Sequence, residues 1–411
     1  MIPNKDKQFY QFCAYGFLKN LRFFDPFILL FFLSKGFDYF DIGILYAIRE
    51  IGFVLTEIPS GIFADAFGRK KSLIISYIAY LLSFLTFYFA QSFALIAVAM
   101  LIFSFGESFR SGTHKALIFA YLEHKNWIKH KTDYYGHTRA CSQMGSAFSA
   151  AIAAGIVILN ANLEIIFLFS TIPYLFGLIN LTLYPNYLDK INSNDSFNVL
   201  IQNAFRLTLE SWQAFKQKNL VLAALNLSIY SAYYKAVKDY FQVLILGFSM
   251  GIVFLPAFSS DQQNALFIGI AYTFLFLLSS VASKNSSKFN SLFSSDIKAL
   301  NSSILLGIMA GALAGTFVFL NLNFIAILLF FGIYIIENLR KPIGISKIID
   351  YSSERINATV LSVVSQVQAG ITALLALFIG FVADLYSVDL ALILSAVLLL
   401  LFAPVYWLKK Q

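Results

Sequence analysis

The sequence predicts an all-α membrane protein of twelve transmembrane helices, arranged as two pseudo-symmetric six-helix bundles. Three observations carry that expectation. The chain is 59% hydrophobic and only 13% charged, whereas soluble domains carry roughly 25% charge. Its apolar residues gather into runs of about 20, the length that crosses a bilayer. The Lys and Arg residues outside those runs fall on one set of alternating connections, with Lys35 the one exception; Lys115 and Arg139, near the ends of their runs, are counted with these connections. The positive-inside rule makes that side cytoplasmic.

The runs are Tyr10–Leu33, Tyr39–Phe63, Ser72–Ala90, Phe93–Phe119, Tyr134–Leu159, Glu164–Leu183, Leu220–Leu246, Asn264–Ala282, Ala299–Leu320, Phe324–Ile343, Ala358–Leu385 and Val388–Leu408. Twelve spans with a cytoplasmic start put both termini in the cytoplasm. The same distribution accounts for the net charge of +8 without a nucleic-acid partner. Lys/Asn/Phe-rich composition and short loops point to a bacterial inner membrane, and the expected form is a monomer in the lipid bilayer.

The first run holds Lys19, Arg22 and Asp25, three residues apart and so on one helix face, with Pro26 directly after. These charges interrupt it and no small-residue cleavage site follows, so it reads as a retained span rather than a signal peptide. The second run carries Arg49, Glu50 and Glu57. Adjacent residues point apart on a helix, so Arg49 and Glu50 are expected to find different partners. Runs two and three meet at Gly61-Ile62-Phe63-Ala64-Asp65-Ala66-Phe67-Gly68-Arg69-Lys70-Lys71. Two glycines suit a tight turn, Asp65 suits a helix cap, and three cations hold the turn at the cytoplasmic side.

The fourth run carries Glu107 and Arg110, with His114 one turn further toward the cytoplasm. A long connection, residues 186–219, separates an N-terminal bundle (1–185) from a C-terminal one (220–411). It opens on Asn-Ser-Asn-Asp-Ser, and its Phe197, Leu200, Ile201, Ala204, Leu207 and Leu209 are spaced as in an amphipathic surface helix. The seventh run carries Lys235, Lys238, Asp239 and Tyr240; the tenth carries Glu337 and Arg340, with Lys341 next. Lys19-x-x-Arg22 thus recurs as Lys235-x-x-Lys238, Glu107-x-x-Arg110 as Glu337-x-x-Arg340, and Ser142-Gln143 as Ser365-Gln366. Three repeats in one order indicate a duplication.

The Gly61–Lys71 stretch resembles motif A of the major facilitator superfamily, G-x-x-x-D-x-x-G-R-K/R-x-K/R, which joins helices 2 and 3 of those transporters. Gly61, Asp65, Gly68, Arg69 and Lys70 match; Lys71 occupies a free position and Ser72 replaces the last cation. The resemblance implies alternating access by two rocking halves, with helices 1, 4, 7 and 10 lining a central cavity. It also implies that Asp65 meets the start of helix 11, near Ala358 and Arg355, with Glu57 and Arg69 completing a gating latch. Proton-driven exporters of the superfamily usually carry G-x-x-x-G-P-x-x-G-G in helix 5, whereas Gly145–Gly155 has no proline.

Charged residues inside spans are costly, about 2.5–3.5 kcal/mol each on insertion scales, and mark pathways or pairs. On helices 1, 4, 7 and 10 they leave a positive surplus. The reading is a secondary transporter of a small anionic or zwitterionic solute, proton-coupled; the alternative is an exporter of drugs or lipid amphiphiles. Lys19, Arg22, Arg110, Lys235, Lys238 and Tyr240 are the candidate substrate contacts. Arg22 and Arg110 stand out, because a guanidinium fork grips a carboxylate or phosphate bidentately. Asp25, Glu107, Asp239 and Glu337 are the candidate proton carriers, each expected to pair with a cation on its own helix. The four histidines read as polar-loop residues rather than a metal site. No cofactor fingerprint or Walker sequence stands in context, and no nucleophile–base pair marks an enzyme.

Overall fold

A computed structural model describes residues 5–127, 130–160, 162–188, 202, 206, 213–251, 259–352 and 356–409. The amphipathic helix expected at 197–209 falls almost wholly outside them, as does Arg355. Among the described residues the chain is helical, without strands. The helices are α1 (Lys7–Lys19), α2 (Ile28–Ser34), α3 (Tyr39–Phe67), α4 (Arg69–Phe89), α5 (Phe93–Arg110), α6 (Thr113–His124), α7 (Lys131–Leu159) and α8 (Ile165–Thr182). They continue as α9 (Lys218–Val237), α10 (Phe241–Met250), α11 (Ser260–Lys284), α12 (Ser286–Ser291), α13 (Asp296–Phe319), α14 (Asn323–Asp350), α15 (Asn357–Leu385), α16 (Val388–Leu401) and α17 (Ala403–Tyr406).

Nine spans among the described residues are long and apolar enough to cross a membrane, from Arg69–Phe89 to Thr359–Leu385. The other three expected spans fall on the broken α1–α2 segment, on charge-bearing α3, and on α16, which has 14 residues. Outward faces carry large apolar side chains such as Leu55, Phe89, Leu159, Leu374 and Leu401, each at least two-thirds exposed. Lipid is the solvent that tolerates them.

The chain divides into two compact units, Met1–Pro26 with Gly52–Ala204, and Phe27–Ile51 with Phe205–Gln411. Within the first, α1 packs on α7 and α8, and α4 packs on α5 and α8. Within the second, α9 packs on α15, and α13 packs on α14 and α16. Counted as spans, first on fifth becomes seventh on eleventh, and third on fourth and sixth becomes ninth on tenth and twelfth. The sequence repeat is therefore also a repeat of packing.

Segment 27–51 belongs with the later elements for visible reasons. The amides of Leu29 and Leu30, in the first turn of α2, both donate to Gln242 Oε1, at 3.0 and 3.2 Å. α3 crosses α15 where two glycines meet: a methyl on Gly380 would lie 3.1 Å from the Gly43 Cα.

Four expectations need correction. The first span is not one helix. α1 stops at Lys19, where Asn20 Nδ2 turns back to the Gly16 carbonyl at 2.8 Å, and Pro26 has no amide with which to continue the ladder. The sixth span, α8, satisfies the freed backbone: Tyr174 Oη donates to the Lys19 carbonyl at 2.8 Å, and Phe23 N donates to Ser170 Oγ at 3.2 Å. Lys19, Arg22 and Asp25 therefore do not form a helical stripe. Second, the motif A turn rests on one glycine. α3 runs on to Phe67, so Gly61 and Asp65 are helical, and only Gly68, with φ +108°, makes the turn. No side chain caps the start of α4.

Third, the fourth span breaks immediately after Arg110, at left-handed Gly112 (φ +68°). Fourth, the seventh span is interrupted by a 3₁₀ turn at Lys238–Tyr240, where Tyr334 Oη donates to the Lys238 carbonyl at 2.9 Å. Such a turn within a helix often marks a hinge or a functional site. Spans one and seven, equivalent in the repeat, are thus both interrupted beside their charges.

Candidate functional site

In the first unit the charges converge on Glu107. Its position in the last turn of α5 aims the carboxylate at two cations. Oε2 accepts from Arg110 at 2.6 Å, one turn along the same helix. Oε1 accepts from Arg22 of the broken segment and from Tyr80 Oη of α4, the latter at 2.5 Å. Arg22 Nε also donates to Tyr174 Oη at 2.8 Å, while its guanidinium lies 5.2 Å from the Phe103 ring centroid. Arg110 Nε donates to Tyr80 Oη at 3.0 Å. One carboxylate and two tyrosines thus hold two guanidiniums, with side chains 17–23% exposed.

Beside this hub lies a cavity of about 390 Å³ lined by α1, α6 and α7. Lys19, Arg110, His114, Lys115 and Arg139 line it, as do Asn20, Thr138, Ser142, Gln143 and Ser146; among the described residues that line it, none is Asp or Glu. Its aromatic wall is Tyr15 stacked on His114, with ring centroids 3.6 Å apart and planes at 10°. His114 Nε2 lies 3.1 Å from Tyr184 Oη. Gly16 is what lets α1 approach α7 here, since any side chain would strike Ser142 and the Thr138 carbonyl.

The second unit distributes its charges differently. Lys235 does not pair with Asp239 on its own helix; its Nζ lies 3.2 Å from Glu50 Oε2. Arg49 curls back to Glu50 Oε1 at 3.1 Å, so the two adjacent residues do meet, and it also covers the Tyr46 ring. The guanidinium reach overcomes the divergence of neighbouring Cα–Cβ bonds. Lys238 takes Asp239 at 2.7 Å, a pairing the 3₁₀ turn permits. Glu337 accepts from Ser231 Oγ at 2.7 Å and meets Lys341 at 3.3 Å. Arg340 is fully buried and instead donates to the Asn226 carbonyl and Oδ1, at 3.0 and 2.6 Å. Asn226 in turn donates to the Tyr406 carbonyl, so Arg340 helps to anchor the C-terminal segment. Tyr240 is buried, its ring 6.0 Å from that of Tyr39.

The motif A cations are structural fasteners here. Lys70 Nζ donates to the carbonyls of Thr182 and Tyr184, at 3.0 and 2.6 Å, closing the end of α8. Arg69 reaches the Ala116 carbonyl, and Glu57 Oε1 accepts from Ser111 at 3.2 Å. Among the described residues no three His, Cys, Asp or Glu side chains cluster as a metal site would require.

Of the expected substrate contacts, Lys19 and Arg110 line the cavity, whereas Arg22 stands behind them in the hub. Lys115, Arg139 and His114 were not foreseen there. A signal did exist: Arg139, Ser142, Gln143 and Ser146 are spaced by three, four and seven residues, which places them on one face of α7. Counting Lys115 and Arg139 as loop charges hid it.

A membrane-embedded bundle built from two repeats, with paired charges and a polar cavity inside, is the architecture of a secondary transporter. The family described as Major Facilitator Superfamily matches residues 9–337. The chain belongs to the major facilitator superfamily and is a multi-pass membrane transporter. An uncharacterized MFS-type transporter of Bacillus subtilis (strain 168), YxaM, is 36% identical over 105 residues, 26% of each chain. The match therefore spans about a quarter of that curated relative.

The fold is similar to the crystal structure of the nucleoside transporter NupG, with TM-score 0.72 and 15% identity, covering 98% of this chain and 97% of that one. It is also similar to a POT family transporter in complex with 5-aminolevulinic acid, with TM-score 0.66 and 14% identity, covering 97% and 95%. A peptide transporter POT in complex with sulfate gives TM-score 0.67 and 14% identity, covering 98% and 96%. At such identities the likeness concerns the fold alone.

Proposed function

We propose that the protein moves a small anionic or zwitterionic solute across the membrane by alternating access, coupled to protons. One observation carries this reading: among the described residues, the cavity beside the Glu107 hub is lined by Lys19, Arg110, Lys115 and Arg139 and by no carboxylate. Cations gathered in a partly desolvated space need anions, and an entering solute supplies them. Arg110 presents the fork that suits a carboxylate or phosphate.

Coupling follows from shared use of that arginine. A bound anion competes with Glu107 for Arg110, and Glu107, left with Arg22 and Tyr80, then takes up the proton that travels with the solute. Asp25, Asp239 and Glu337 stay in the candidate set as later stations.

The test is uptake into proteoliposomes with an imposed pH gradient. The solved structures of similar fold supply the first compounds to try, 5-aminolevulinic acid and sulfate, beside lipophilic cations as the exporter arm. Uptake of anions that is driven by the gradient and lost in Arg110→Gln supports the reading. Transport of lipophilic cations alone, untouched by Arg110→Gln, overturns it in favour of an exporter.

A further inference from the structure

We infer that the solute bound beside Glu107 carries two negative charges and no positive one, as a dicarboxylate or a phosphomonoester does; this rests on the cavity being the transport site. Among the described residues, Lys19 and Arg139 line the cavity without an ion pair. Arg110 lines it too, but shares its charge with Glu107 at 2.6 Å. The surplus facing the cavity is therefore at least two, and a monoanion leaves part of it uncompensated.

A zwitterion fits worse. Its ammonium group would enter among cations, and the nearest carboxylate in the network is already committed. Glu107 Oε1 accepts from Arg22 and Tyr80, and Oε2 accepts from Arg110. The neutral polar groups of the lining, among them Asn20, Ser142 and Gln143, carry no negative charge with which to replace it. A nucleoside carries no charge to meet any of the cations. The volume, about 390 Å³, lies at the small end of the roughly 300–1,000 Å³ typical of ligand sites. The stacked Tyr15–His114 wall offers the carbon skeleton an apolar surface.

The experiment compares probes on one carbon skeleton against the full-length purified protein. Succinate is the dianion, butyrate the monoanion and 4-aminobutyrate the zwitterion; glycerol 3-phosphate and glycerol form the phosphate arm. Thermal shift gives apparent Kd, since a ligand that binds only the folded state raises its stability. Proteoliposome uptake gives competition. The expected result is that succinate or glycerol 3-phosphate binds at least tenfold more tightly than its partners. Arg139→Gln and Lys19→Gln each erase most of that preference; Arg139 is exposed, so its variant leaves the packing intact.

The two arms separate the sources. A preference for glycerol 3-phosphate over glycerol without one for succinate over butyrate marks a phosphomonoester, and the reverse marks a dicarboxylate. Binding of 4-aminobutyrate or butyrate as tight as succinate, yet abolished by Arg110→Gln, sinks the dianion class and keeps an anion transporter. Binding by no anionic probe, together with lipophilic-cation transport that survives Arg110→Gln, sinks both.

Discussion

The two repeats carry the same Glu-x-x-Arg motif in different electrostatic surroundings, so one substitution made twice should give two answers. Glu107→Gln removes the carboxylate that is ion-paired with both Arg22 and Arg110. Breaking a buried ion pair by removing one partner costs about 3–5 kcal/mol, because a charge is left behind. The side chains here are 17–23% exposed, which sets the expected loss at the low end, about 3 kcal/mol. Glu337→Gln removes a carboxylate that is itself buried, but its ion-pair partner among the described residues, Lys341, is 44% exposed, so solvent reaches the cation and screens the pair. A pair screened through an exposed cation is worth about 0–1 kcal/mol, and glutamine keeps an acceptor for Ser231. The expected loss is under about 1 kcal/mol. The gap of about 2 kcal/mol is roughly thirtyfold in the unfolding equilibrium. Denaturant titration of both variants in mixed micelles reads it directly. A cycle pairing Glu107→Gln with Arg110→Gln should show coupling of about 0.5–3 kcal/mol. Equal losses for the two Gln variants, within about 0.5 kcal/mol, would refute the argument.

Gln242→Ala should leave the Leu29 and Leu30 amides without their acceptor, at about 1–3 kcal/mol. Faster amide hydrogen exchange confined to residues 28–31 is the readout, and unchanged protection there would show that Gln242 is not their cap. Gly380→Val should destabilise by about 1–3 kcal/mol through overpacking against α3. Gly370→Ala, whose methyl meets nothing within 4 Å, should be neutral or stabilising; thermal shifts of equal sign for the two would contradict the crossing. Lys70→Ala should cost about 1 kcal/mol by releasing the α8 carbonyls. Lys71→Ala, at an exposed position, should stay within about 0.5 kcal/mol on the same denaturant curve.

Much of the architecture is legible in the sequence, because the bilayer imposes it residue by residue. Hydropathy over about 20 residues decides what spans. The recurrence of Lys19-x-x-Arg22 and Glu107-x-x-Arg110 in the second half reports a duplication, which the helix packing repeats. The motif A residues identify the family that the match over residues 9–337 also gives. Glu107 with Arg110 is a local pair, three residues apart, and one helix turn suffices to predict it.

What the sequence alone left open is everything that depends on how one helix is turned against another. Arg22 reaches Glu107 from 85 residues away, and Lys235 reaches Glu50 from 185 away. Glu337 and Arg340 repeat the motif but part company, because Asn226 and Ser231 on the neighbouring helix offer better partners than the residues have in each other. The breaks after Lys19 and at Lys238 exist because tyrosines and a serine from other helices accept or supply the freed backbone hydrogen bonds. Even the cavity depended on a close helix approach at Gly16, which turned Arg139 from an apparent loop charge into a wall of the site. Periodicity fixes the face a residue occupies on its own helix; only packing decides what that face meets.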